Sequence, residues 1–167
     1  MGSEMCIRDR DYRLSQAQSY ANHSLYMASI VIDAWRLALS ERNHSISAID
    51  AAFGPASRLH LLDAYGWQLL ACQRVVQIPS SPPHSTSELP NLAPGIALSP
   101  EVREMALLEE SGWLSELTAP IAPGLNVRRP QNLLAVASNE FDCAKAGEIL
   151  GRLEALIDRV ADAIDES

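Results

Sequence analysis

Apolar residues recur at helical spacing through most of this chain, most persistently from Ile49 to Val76. There, Ile49, Phe53, Ala56, His60, Ala64, Trp67, Ala71 and Val75 make one stripe at steps of three and four, and Leu59, Leu62, Leu69 and Leu70 make a second. A helix with two apolar faces needs neighbours on two sides, so the spacing predicts the central helix of a bundle. Upstream, Leu14, Ala17, Ala21, Leu25, Ala28, Ile32, Trp35 and Leu39 share one face. The small residues Ala17, Ala21, Ser24 and Ala28 on it invite close approach of a partner helix.

The polar link SERNHSIS between these stretches is short, which predicts antiparallel neighbours. Ser47 followed by Asp50 resembles a capping box. Gly54-Pro55 predicts a kink, or a helix that starts only at Pro55, because proline lacks the N–H that an interior helical position donates.

After Ile78 the pattern stops at PSSPPHSTSELPNLAPGIALSP, a proline-rich connection over residues 79–98. Its first half, rich in Ser and Pro, is expected to be mobile, so that deleting residues 80–90 leaves thermal stability nearly unchanged. Its second half, with Leu89, Leu92, Ile96 and Leu98, is expected to dock. Ser99-Pro100-Glu101 is a helix start, with a serine cap, proline at the first position and an acid near the positive end of the dipole. Val102, Met105, Ala106, Leu108, Trp113 and Leu117 follow on that helix, which Ser111-Gly112 should bend or interrupt. A second proline-rich connection leads through NLLAV to a last helix that Ser138 or Asn139 could cap, with a seam running from Ala146 through Ile149, Leu153 and Ile157 to Ile164.

The pattern therefore predicts an all-α fold: a four-helix, mostly antiparallel bundle with long proline-rich connections. Its helices are expected near residues 12–40, 47–77, 100–117 and 140–165 of a single domain over 11–167. Residues 1–10, MGSEMCIRDR, are expected to be an artefactual or disordered start, since MCIRDR resembles the translation of a sequencing adaptor.

Composition narrows the function classes. With 167 residues and 47% hydrophobic content, one core is sufficient without staples. Three cysteines, Cys6, Cys72 and Cys143, form no CxxC pair, which points to a reducing, cytoplasmic setting and to small core residues. No apolar run reaches membrane-span length, so no membrane partner is expected. The net charge of −8 collects in the C-terminal half, where from Glu140 onward eight acids face Lys145, Arg152 and Arg159. That field repels phosphate backbones, and no nucleic-acid partner is expected.

Candidate chemistry is sparse. Glu-x-x-His, the metal-binding step of helical bundles, occurs once, as Glu41 and His44 in the predicted turn, where a solvated loop is the simpler reading. There is no G-x-S-x-G element, no phosphate-cradling glycine loop and no cofactor motif, so neither a catalytic residue nor a metal or cofactor is expected. One polar cluster stands out: His60 and Asp63 share a face of the central helix, with His23 and Tyr26 at comparable height on the first. A buried histidine satisfied by a carboxylate or phenol explains it as well as a binding site does. Trp113, after the helix break, can either cap the core or anchor an interface.

The segments SYANHSLYMASIVIDAW, RLHLLDAYGWQLL, SPEVREMALLEESGWLSEL and NLLAV together resemble an uncharacterised bacterial domain-of-unknown-function family of similar length. That resemblance implies a small helical protein and no particular activity. The expected function is a protein–protein interaction or structural module, with a protein partner or homodimer. The alternative is a small-ligand binder or enzyme using the polar cluster inside the bundle.

Overall fold

The computed structural model describes residues 3–75, 77–90, 95, 97–119 and 141–165. Among the described residues, five α-helices and one short 3-10 turn make up the regular structure and no strand occurs. They are α1 (Ser3–Glu41), α2 (Ile46–Cys72), the turn Thr86–Glu88, α3 (Pro100–Ser111), α4 (Leu114–Thr118) and α5 (Cys143–Asp165).

The directions follow from the contacts. Trp35 meets Asp50 and Tyr20 meets Trp67, so rising numbers on α1 pair with falling numbers on α2 and the two are antiparallel. Tyr65 reaches Glu109 while Arg58 reaches Leu117, which sets α3 and α4 antiparallel to α2. Arg159 pairs with Glu104 and Lys145 with Glu116, so α5 runs against α3 and α4. The result is the up-down-up-down bundle that the hydrophobic pattern predicts.

On α1 the stripe is inside as expected, with Ala17, Ala21, Ala28, Ile32 and Trp35 all buried. Alanine at three of these positions lets α2 approach closely, and Gly54 of α2 lies against the Trp35 ring, where an added Cβ would stand 3.5 Å from it. On α2 the buried arc is rotated from the predicted stripe. It passes through Gly54, Ser57, Arg58, Leu61, Tyr65, Gln68 and Leu69. Ala56 and Leu59 face out, and His60 and Trp67 sit at its margins. The rotation has a physical reason: Ser57, Arg58 and Gln68 are polar but find partners inside, so an apolar count places them outside. Ser57 donates to the Gly54 carbonyl at 2.9 Å and Gln68 donates to the Cys72 sulfur at 3.5 Å.

Helix ends also depart from the sequence reading. Ser45, not Ser47, caps α2, its side chain accepting from the Ala48 N–H, and the helix continues through Pro55. Asp50 instead accepts from the Trp35 indole at 3.0 Å. At α3 the reading holds: the Ser99 hydroxyl accepts from Val102 with Pro100 in the first turn, and Gly112 ends the helix before α4. Asp142 caps α5 by accepting from the Lys145 N–H at 2.8 Å. The alternatives Ser138 and Asn139, like the segment NLLAV, lie outside the described residues.

The long connection corrects an expectation. Its first half is docked, because Glu109 and Asp63 supply hydrogen-bond partners that its composition does not reveal. Thr86 donates to Glu109 from its N–H at 2.8 Å and from its hydroxyl at 2.6 Å, and the Tyr65 hydroxyl donates to the same carboxylate at 2.6 Å. His84 Nε2 lies 3.1 Å from Asp63 Oδ1. Pro83 is buried over Gly66, where a side chain would collide with the Pro83 carbonyl oxygen and the Pro82 ring. Removing residues 80–90 therefore strips partners from α2 and α3.

Candidate functional site

Residues 78–80, which lead into the docked first half of the long connection (the strap, residues 79–90), close one side of a groove of about 320 Å3 between residues 16–24 of α1 and the end of α2. Its apolar lining is Tyr20, Trp67, Ile78 and Pro79, and its polar lining is Gln16, His23, Ser24 and Ser80. Tyr20 and Trp67 stand with ring centroids 4.9 Å apart at 52°, and Gln16 donates to the Tyr20 hydroxyl at 2.9 Å. The groove exists because Gly66 admits the strap backbone and Ser24 is small. Trp67, half-buried at the margin of the α2 arc, borders the groove beside residues 78–80 and packs on Tyr20.

Ser24 differs from the other polar residues there. It is 8% exposed, it lines the groove, and it makes no hydrogen bond with a described residue. Gln68 is the contrasting case: its Oε1 also lacks a partner among the described residues, but its side chain is sealed in the core and faces no cavity.

The residues singled out from the sequence separate. His23 lines the groove. Tyr26 points outward from α1 and is 64% exposed, while Asp63 is engaged by His84 of the strap. His60 lies half-buried on α2 and makes no hydrogen bond to a described residue. Trp113 is half-buried and packs on the main core. The four polar residues thus do not converge on one interior site. No group of three His, Cys, Asp or Glu side chains among the described residues could hold a metal ion.

Two features escape a sequence reading. One is Arg58, 9% exposed, whose guanidinium donates to the carbonyls of Leu117 at 2.8 Å, Glu116 at 3.4 Å and Ala119, and lies 5.7 Å from the Phe141 ring. Burial lowers its pKa from the ordinary arginine value. The carbonyls at the end of α4 carry the partial negative charge of the helix dipole and take the place of a carboxylate. The other is the Glu109 hub. Burial first, and Glu109 second, push the Tyr65 phenol far above its ordinary range, so it stays a neutral donor. Both features join residues tens of positions apart, and no local spacing announces them.

The two described thiols carry no site. Burial pushes Cys72 up to about 12, and Cys143 is raised for the same reason, so neither offers a thiolate near neutrality.

The outer side of α1 is unlike its inner side. Tyr26, Ile30 and Leu37 are 64%, 45% and 59% exposed and stand at steps of four and seven, on the face opposite the buried alanines. Between Leu14 and Ser40 the only charged residues are Asp33 and Arg36, and these pair with each other at 2.8 Å.

Compared with models of known protein families, with curated proteins and with solved structures, the chain matches none.

Proposed function

We propose that this protein is an interaction module that associates with a second copy of itself through the outward face of α1. The observation that carries the reading is the exposed row of Tyr26, Ile30 and Leu37. Steps of four and seven put them on a seam of heptad type, the arrangement by which two helices pack side by side. Charge favours a second copy at this face over any other: the chain carries −8 overall, but this stretch of α1 is neutral, so two copies can meet there without stacking like charges. In a two-fold arrangement each Tyr26 and Leu37 meets the partner's equivalent surface. Stable interfaces bury about 800 Å2 per partner, and three large side chains supply only part of that, so the dimer is expected to be weak.

A bacterial, cytoplasmic role alongside the domain-of-unknown-function family belongs to this same reading. It is supported by the segments that resemble that family and by the buried, unpaired Cys72 and Cys143. No helix among the described residues is long and apolar enough to cross a membrane.

Sedimentation velocity over a concentration series tests the proposal. The wild-type chain should shift from monomer toward dimer in the micromolar range, and Tyr26→Glu with Leu37→Glu should abolish the shift without lowering thermal stability. A wild-type chain that stays monomeric up to roughly 1 mM, where specific association is weaker than about −4 kcal/mol, overturns it.

A further inference from the structure

The groove between α1 and the strap adjoins the outer row of α1 only at His23, seven residues before Ile30, and nothing in the interaction reading uses it. We infer that it binds a small neutral molecule of one ring, with a flat apolar face and a hydrogen-bonding rim. Three observations lead there. The first is size: about 320 Å3 lies at the low end of the roughly 300–1,000 Å3 typical of small-molecule sites, which fits one ring with its substituents.

The second is the division of the lining. Trp67 and Tyr20 present aromatic surface, with Ile78 and Pro79 beside them, and this suits a flat apolar face. His23, Gln16 and Ser80 add donors and acceptors among them. Among the described residues no Asp, Glu, Lys or Arg lines the groove. An anion brought into it would lose hydration without gaining a counter-charge from these residues, and would also meet the repulsion of a chain at −8.

The third is Ser24. A hydroxyl on a helix ordinarily donates back to the carbonyl three or four residues earlier, as Ser29 does to Tyr26 at 2.8 Å and Ser40 to Leu37 at 2.7 Å. Ser24 has no such bond with a described residue although it is almost wholly buried, and the space beside it is the groove. Its hydroxyl meets the groove and can donate to what enters it, so the ligand takes a hydrogen bond from Ser24 while its flat face rests on Trp67.

This chemistry is shared by the base of an uncharged nucleoside and by a neutral pyranose, so the experiment has two arms. Adenosine and uridine form one, D-glucose and N-acetylglucosamine the other, with adenosine monophosphate and glucose 6-phosphate as charged counterparts. Ligand-detected NMR and calorimetric titration against the full chain should show saturable binding in one arm, below about 10 mM. The phosphorylated counterpart should bind at least tenfold more weakly. Ser24→Ala should weaken binding about tenfold, the loss of one hydrogen bond, and leave the melting temperature and sedimentation unchanged, because the hydroxyl holds nothing in the protein. The inference is overturned if neither arm saturates, if the phosphorylated probe binds as well as the neutral one, or if Ser24→Ala keeps full affinity. It is overturned equally if Ser24→Ala lowers the melting temperature, which would give the hydroxyl a structural task. Because Ser24 is on the inward side of α1, failure here leaves the self-association test untouched.

Discussion

Trp35 and Trp67 occupy equivalent places in the hydrophobic pattern, each on a helical stripe at opposite ends of the same antiparallel pair, yet their surroundings differ. Trp35 is fully buried, its indole N–H donates to Asp50, and Gly54 packs against its ring edge. Trp67 is half-buried, leans on Tyr20, and borders a groove that the strap closes from one side. One end of the bundle is sealed by α5 and the other by an irregular segment. The lesson is that an aromatic on an apolar stripe reports that something covers it, and the covering element decides whether a cavity remains.

The sharpest way to break that comparison is to truncate both residues. Trp35→Ala removes a large side chain from a dry site and should cost about 3–5 kcal/mol in denaturant unfolding, much of a small domain's stability. Trp67→Ala removes a ring that already meets solvent, and the groove beside it relieves the cavity, so about 1–2.5 kcal/mol is expected. Equal losses at the two positions would mean that the ends are packed alike.

The smallest effect sharpens the comparison from the glycine side. A Cβ at Gly54 would meet its nearest neighbour, the Trp35 ring, at 3.5 Å, an ordinary contact. Gly54→Ala should therefore stabilise the protein by about 0.5–1 kcal/mol, read from the denaturation midpoint, because alanine loses less backbone entropy in a helix. A loss of stability would show that the sealed end is packed more tightly than the 3.5 Å contact allows.

The all-α bundle was legible in the sequence because α1 and α5 carry their buried residues in clean apolar stripes, and Ser99-Pro100 announces α3 through local chemistry. The buried arc of α2 was not. Gly54, Ser57, Arg58 and Gln68 lie on it, and each is inside because of a contact that spacing cannot register: a close ring, a carbonyl three residues back, the end of α4, a sulfur. The docked strap was hidden for a related reason. Glu109 reads as one acid among several on α3, and its role appears only when Thr86 and Tyr65 are brought to it. Of the candidate residues, His23 was found for its height on α1 and does line the groove, whereas Asp63 is matched with His84, a residue in the strap that was expected to be mobile.

Arg58 has a consequence for the order in which the molecule assembles. A helix of five residues such as α4 does not persist in water alone, since nucleation is unfavourable and too few hydrogen bonds follow it. Its last carbonyls are held by a guanidinium on α2, so α4 can form only where α2 is already in place. The two helices are then one unit of local opening, and the amides of α4 should exchange with solvent as slowly as those around Arg58 rather than at the rate of an isolated turn.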